Sequence, residues 1–84
     1  MATFYTIHAY DQESGRGDDL IEYQYLYTTF DKACDAIECE IYDQNFERPD
    51  RTEMSQYLET RNYVHYYEDE HGVLFVIVKM TVKD

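Results

Sequence analysis

The pattern of hydrophobic positions divides the chain into strand-like and helix-like segments. Thr3 to Tyr10 and Leu20 to Thr28 are rich in β-branched and aromatic side chains, which is typical of β-strands. The stretch between them is polar, contains two glycines and is too long for a two-residue turn. The sequence therefore predicts two strands joined by an open, mobile hairpin loop.

A helical pattern follows the second predicted strand. Thr28 or Thr29 can cap this helix, and Asp31 in the first turn suits the helix dipole. Apolar residues then recur at three- and four-residue spacing and form one stripe: Phe30, Ala33, Cys34, Ile37 and Ile41. We predict a helix that runs to about Phe46 and packs this stripe on the sheet.

The second half of the chain predicts a short helix and a hairpin. Asp50 and Glu53 have the spacing of a capping box. Arg61 to Glu68 and Val73 to Lys83 are strand-like, and Gly72 between them can adopt the positive φ of a bulged turn. Because the last segment is apolar on both faces in its first half, we expect it inside the sheet.

These segments together predict an α+β protein of order ββαββ. We expect a four-stranded, mainly antiparallel sheet with one main helix on one face and a short second helical turn. The 84 residues fit a single compact domain, 1–84, near the size at which one core supplies only a few kcal/mol, so a homodimer would be unsurprising.

Charge restricts the possible partners. Eighteen acidic and seven basic residues give a net charge of -11, which opposes direct binding to nucleic acid or to an anionic membrane. No apolar run approaches the ~18 residues that span a bilayer, and the N-terminus lacks a basic, apolar signal. We therefore expect a cytoplasmic protein, in which Cys34 and Cys39 are reduced.

No motif indicates catalysis, a cofactor or a metal. The histidines are far from one another and from the cysteines, without the spacing of metal ligands. Asp11, Glu13 and Glu22 occupy three places of a calcium-binding loop, but Arg16 stands where glycine is required. The sequence shows no nucleophile elbow or phosphate loop, so we expect no enzyme activity.

The acidic residues are clustered. A helix to Phe46 would carry two acidic rows beside its apolar stripe, Asp31, Asp35 and Glu38 on one side and Glu40, Asp43 and Glu47 on the other. The predicted loop adds Asp11, Glu13, Asp18 and Asp19. Carboxylates three and four residues apart lie ~5–6 Å from each other, close to the spacing of phosphates along a nucleic acid, and they repel. Solubility alone would also account for such a surface.

The leading hypothesis is a small inhibitor that imitates nucleic acid. Its acidic rows would occupy the basic, nucleic-acid-binding groove of a larger partner protein, with Tyr25, Tyr63 and the loop adding shape-specific contacts. Phage-encoded anti-CRISPR and anti-restriction proteins are often of this size and charge, and such a protein would act in the host cytoplasm. The alternative is a homodimeric structural or regulatory module that uses a tyrosine-rich sheet face: Tyr23, Tyr25, Tyr27, Tyr63, His65 and Tyr67.

Overall fold

The computed structural model describes residues 2–11, 19–22, 26–41, 46–68 and 72–83. These residues form an antiparallel sheet and two helices, so the predicted α+β class is confirmed. In chain order the elements are β1 (Ala2–Asp11), β2 (Asp19–Glu22), α1 (Phe30–Glu38), α2 (Arg51–Thr60), β3 (Tyr63–Glu68) and β4 (Val73–Val82).

The body of the sheet consists of β1, β4 and β3. β4 lies between the other two, as its apolar first half predicted, and pairs with β1 along ten residues. β2 has only four residues and pairs with the outer side of β1. The predicted ββαββ order with four full strands is not confirmed, because the predicted second strand to Thr28 continues only as an isolated bridge between Tyr27 and Tyr5, and residues 23–25 lie outside the described ranges.

The strand register divides the sheet into two faces. Ile7 of β1 lies opposite Ile77 of β4, which in turn lies opposite Val64 of β3. Directly opposed residues share a face, so these three side chains point to the same side. They belong to the hydrophobic core together with Ala33, Cys34 and Ile37 of α1 and Leu58 of α2. The helices therefore cover this face, which we call the helix face.

Helix α1 begins as the sequence predicts but is shorter. The Thr29 hydroxyl accepts a hydrogen bond from the Lys32 amide at 3.2 Å, which confirms one of the two predicted caps. The helix ends at Glu38, whereas the sequence predicted an end near Phe46. Its last turn has no basic residue, and acidic side chains at a helix C-terminus oppose the helix dipole. Ile41 still packs against the core, although it follows the helix.

Helix α2 extends slightly beyond the short helical segment, through Met54, Tyr57 and Leu58, that the sequence predicted. It has ten residues, and the Asp50 carboxylate caps it by accepting hydrogen bonds from the amides of Thr52 and Glu53. The predicted start is therefore confirmed. The chain then enters β3, and Gly72 before β4 has the predicted positive φ, 83°.

Candidate functional site

Arg51 joins the two helices through three carboxylates of α1. Its guanidinium lies 3.1 Å from Asp31 Oδ1 and 2.7 Å from Asp35 Oδ1, and it also donates to Glu38 Oε2. These acids recur at four- and three-residue spacing, so they lie in one row along α1. Because Arg51 is the first residue of α2, its ion pairs with this row hold the N-terminal end of α2 next to α1. We call these four residues, together with Arg48, the arginine cluster.

Arg48 adds a second cation to this cluster. Its Nε lies 2.8 Å from Glu38 Oε1, so Glu38 contacts two guanidinium groups. Three carboxylates and two arginines leave the cluster with one net negative charge. The first acidic row is therefore present as predicted, but it is largely neutralised within the chain. The repulsion that we expected along the row is offset by Arg51 and Arg48.

Burial changes the chemistry beneath the cluster. Desolvation raises the pKa of the Cys34 thiol to about 12, although the nearby charge of Arg51 acts against this rise. Desolvation likewise raises the pKa of Tyr66 to about 12. Burial disfavours the charged form of Arg51, but hydrogen bonds to Asp35 and Asp31 outweigh it and raise its pKa. Cys34 therefore stays a neutral thiol at physiological pH and acts as a core residue.

Two buried polar atoms lie in the same region. Arg51 Nε and Tyr66 Oη are buried without a hydrogen-bond partner of good geometry among the described residues. The two groups are close enough for the positive charge of Arg51 to stabilise the ionised form of the phenol. The two terminal nitrogens of the Arg51 guanidinium, Nη1 and Nη2, thus contact carboxylates, while Nε lies towards the core.

The second predicted acidic row does not exist as a helical row. Glu40 lies in the turn after α1, and Glu47 lies in the non-helical segment before α2. Both are exposed, while Asp43 lies outside the described residues. The prediction was wrong because it extended the helical period beyond Glu38, where the helix ends.

The predicted loop set is only partly described. Asp11 ends β1 and Asp19 begins β2, so both belong to strands and not to the loop. Glu13 and Asp18 lie outside the described residues, as does Tyr25.

The sheet face opposite the helices is apolar and has no described element packed on it. On β4 it presents Leu74, Val76, Val78, Met80 and Val82, because alternate residues of a strand face the same side. A groove of about 340 Å³ runs across this face, and it is lined by Leu74, Val76 and Val78 together with Tyr10, Asn62, Tyr63 and His65. We call this surface the open face.

The predicted tyrosine face is divided between the two sides of the sheet. Tyr63 and His65 lie on the open face, with ring centroids 5.9 Å apart. Tyr67 lies opposite Phe75 and packs against the core, where its ring meets Phe46 edge-on at 5.2 Å. Tyr27 also packs against the core. A β-bulge between His65 and Tyr67 shifts the alternation, which is why a simple period of two failed here.

Arg61 is a further surface residue that the sequence did not single out. Its guanidinium lies over the ring of Tyr57 at 4.9 Å and near the ring of Tyr63 at 5.3 Å. Arginine and tyrosine are the side chains that most often dominate the energy of protein interfaces. This group connects the edge of the open face with α2.

Among the described residues, no three His, Cys, Asp or Glu side chains are grouped so that they could hold a metal ion. Neither helix in the described ranges is long and apolar enough to cross a membrane. Comparison with protein-family models, with curated proteins and with solved structures returned no match. The geometry of this chain is therefore the basis for assigning a function.

Proposed function

We propose that this chain is a small, non-catalytic binding protein whose helical side occupies a basic, nucleic-acid-binding surface of a larger partner protein. The supporting observation is the uneven distribution of charge over the described residues. The helices and the segment between them carry most of the exposed carboxylates, whereas β1, β3 and β4 place a single acid, Glu68, on the open face. A basic partner would therefore meet the helical side first, because long-range attraction orients the encounter.

The arginine cluster supports this proposal in one respect and limits it in another. Arg51 holds three carboxylates at fixed positions, which reduces the entropy lost when a partner binds them. Asp31 remains 74% exposed, so its side chain stays accessible from solvent. However, the paired arginines lower the charge of the row. The acids that contribute most to the proposed attraction are therefore the exposed ones outside the cluster, such as Glu40 and Glu47.

The proposal includes the class of biological setting. An inhibitor that competes with nucleic acid for its groove would suit a phage-encoded antagonist of bacterial defence, of the anti-CRISPR or anti-restriction kind. Such a protein would act in the host cytoplasm. Two free thiols, Cys34 and Cys39, are compatible with that reducing compartment.

The experiment that tests this function compares two variants of equal net charge. Glu40→Gln with Glu47→Gln alters the proposed surface, and Glu68→Lys, on the opposite face of the sheet, is the matched control. All three residues are exposed, and none has an ion pair with another described residue. Reversal of Asp35 or Glu38 is avoided, because it would place a lysine beside Arg51 and confound binding with folding.

Immobilised wild-type protein is used to capture partners from a bacterial lysate, followed by elution with double-stranded DNA. We expect a basic protein that wild type and control retain, that DNA elutes, and that the Glu40 and Glu47 variant fails to capture. Its affinity for wild type should fall as salt screens the charges over a Debye length of ~10 Å at 0.1 M. Equal capture by both variants, or a complex that DNA does not displace, would contradict the proposal.

A further inference from the structure

We infer that the open face is the docking surface for a second copy of this chain, and that two copies stack their sheets face to face. The inference rests on the chemistry, charge and shape of that face. It is independent of the proposed function, which concerns the opposite side of the molecule.

The open face has the composition of an interface. Met80 is 46% exposed, and Val82 and Tyr63 are exposed to a similar degree. They continue the apolar surface of Val78, which is half-buried beside Tyr63. Leu74 and Val76 are buried, yet they do not belong to the core under the helices. A contiguous apolar surface of this kind on a small protein marks a binding site for another apolar surface.

Charge favours the face-to-face arrangement of two copies over contact between their helical sides. The chain carries a net charge of -11, so two copies repel unless their acidic surfaces stay apart. In a face-to-face pair the sheets would lie ~10 Å apart, and each helical layer would add about another 10 Å on the outside. The two acidic sides would then be separated by roughly 30 Å, several times the Debye length of ~8 Å at physiological salt. Contact between helical sides would instead bring the acids together.

The size of the face is close to that of a specific interface. β1 and β4 have ten residues each and β3 has six, so at about 3.3 Å per residue and 4.8 Å between strands these three strands cover roughly 410 Å². Two such faces together have a flat area of roughly 800 Å². Protruding side chains raise the accessible area towards the ~1,000 Å² that distinguishes specific interfaces from incidental contacts.

The face is also complementary to itself. The groove lies over Leu74, Val76 and Val78, whereas the protruding side chains Met80 and Val82 lie at the other end of β4. A two-fold axis that reverses the strand direction would place the protruding end of each copy over the groove of the other. Such an isologous contact forms twice and closes without leading to larger assemblies.

Sedimentation equilibrium of the full chain tests the inference. Wild type should have twice the monomer mass of 10.1 kDa, with a dissociation constant that does not weaken as salt is added. Met80→Glu should weaken the pair at least about 100-fold, because the two-fold places a carboxylate in the interface twice. Thr81→Glu is the matched control: it is the next residue of the same strand, exposed, and on the opposite face. It should leave the pair intact.

Far-UV circular dichroism establishes that each variant is folded, and Val82→Glu serves as a second probe near the strand end if Met80→Glu unfolds. A wild-type chain that stays monomeric at every concentration would overturn the inference. So would a dimer that Met80→Glu and Val82→Glu leave unchanged, since the contact would then use another surface. Equal weakening by Thr81→Glu would show an effect of total charge, and it would also overturn the assigned face.

Discussion

Replacing Arg51 by methionine removes the cation that links α1 to α2, while methionine keeps most of the length of the apolar stem. The two side chains of the Arg51–Glu38 contact are only 19% and 16% exposed, so solvent screens this pair poorly. Loss of a hydrogen bond between charged groups costs about 1.5–3 kcal/mol. Asp31 and Asp35 are exposed, and each contributes only ~0.2–1 kcal/mol. We expect Arg51→Met to lower the free energy of unfolding by about 2–5 kcal/mol.

Urea unfolding followed by circular dichroism measures this change, with Arg48→Met as the control. Arg48 is 65% exposed and contacts only Glu38, so its loss should cost at most ~1 kcal/mol. At ~1 M salt the Debye length is ~3 Å, so salt screens the exposed ion pairs of Arg51 with Asp31 and Asp35. The loss of unfolding free energy caused by Arg51→Met should therefore be smaller at high salt, but it should not disappear. An Arg51→Met variant within ~0.5 kcal/mol of wild type would refute the view that the cluster positions α2, as would an equal cost for Arg48→Met.

Three further predictions follow from burial and charge. Ile77→Asp should abolish the cooperative unfolding transition seen by circular dichroism, because Ile77 is fully buried under the helices; a native-like melting curve would show that this strand is not core. Native protein should react with one equivalent of a thiol reagent at Cys39, and Cys34 should react only in denaturant; two fast thiols would contradict the burial of Cys34. The free energy of unfolding should fall as pH rises from about 9 towards 12, because Cys34 and Tyr66 ionise at lower pH in the unfolded chain than in the folded one. Urea unfolding across this pH range measures the fall, which should be smaller for Cys34→Ala. An equal fall in Cys34→Ala would exclude Cys34 as a cause.

Features that depend on local pattern were predictable from the sequence. The alternation along β4 placed Val76 and Val78 on one face and Ile77 on the other, and the positive φ of Gly72 followed from its place before that strand. The caps of both helices follow from side chains that lie next to the backbone they bind, such as Asp50. These signals need no knowledge of distant residues.

Features that depend on distant contacts were not predictable in the same way. The acidic row of α1 was visible, but its partner Arg51 lies 13 residues beyond Glu38 and is brought there only by the packing of α2. The available signal was the charge-balanced segment from Arg48 to Arg61, which follows a strongly acidic one. That signal does not identify which arginine forms ion pairs with the acids of α1. The end of α1 at Glu38 was not predicted for a related reason. Ile41 continues the apolar spacing of the helix and packs against the core, but it does so from the segment that follows the helix.

The two proposed surfaces can be altered separately because the central strand lies between them. Ile77 faces the helices, and its neighbours Val76 and Val78 face the opposite side, so a step of one residue along β4 changes which surface is affected. A charge at Ile77 would be buried in the core without a partner, whereas one at Met80 lies at an exposed position of the same strand. Loss of folding and loss of pairing should therefore separate along one strand. Binding of a basic partner should survive the loss of pairing, because the carboxylates that attract it lie on the helical side and β1, β3 and β4 place only Glu68 on the open face.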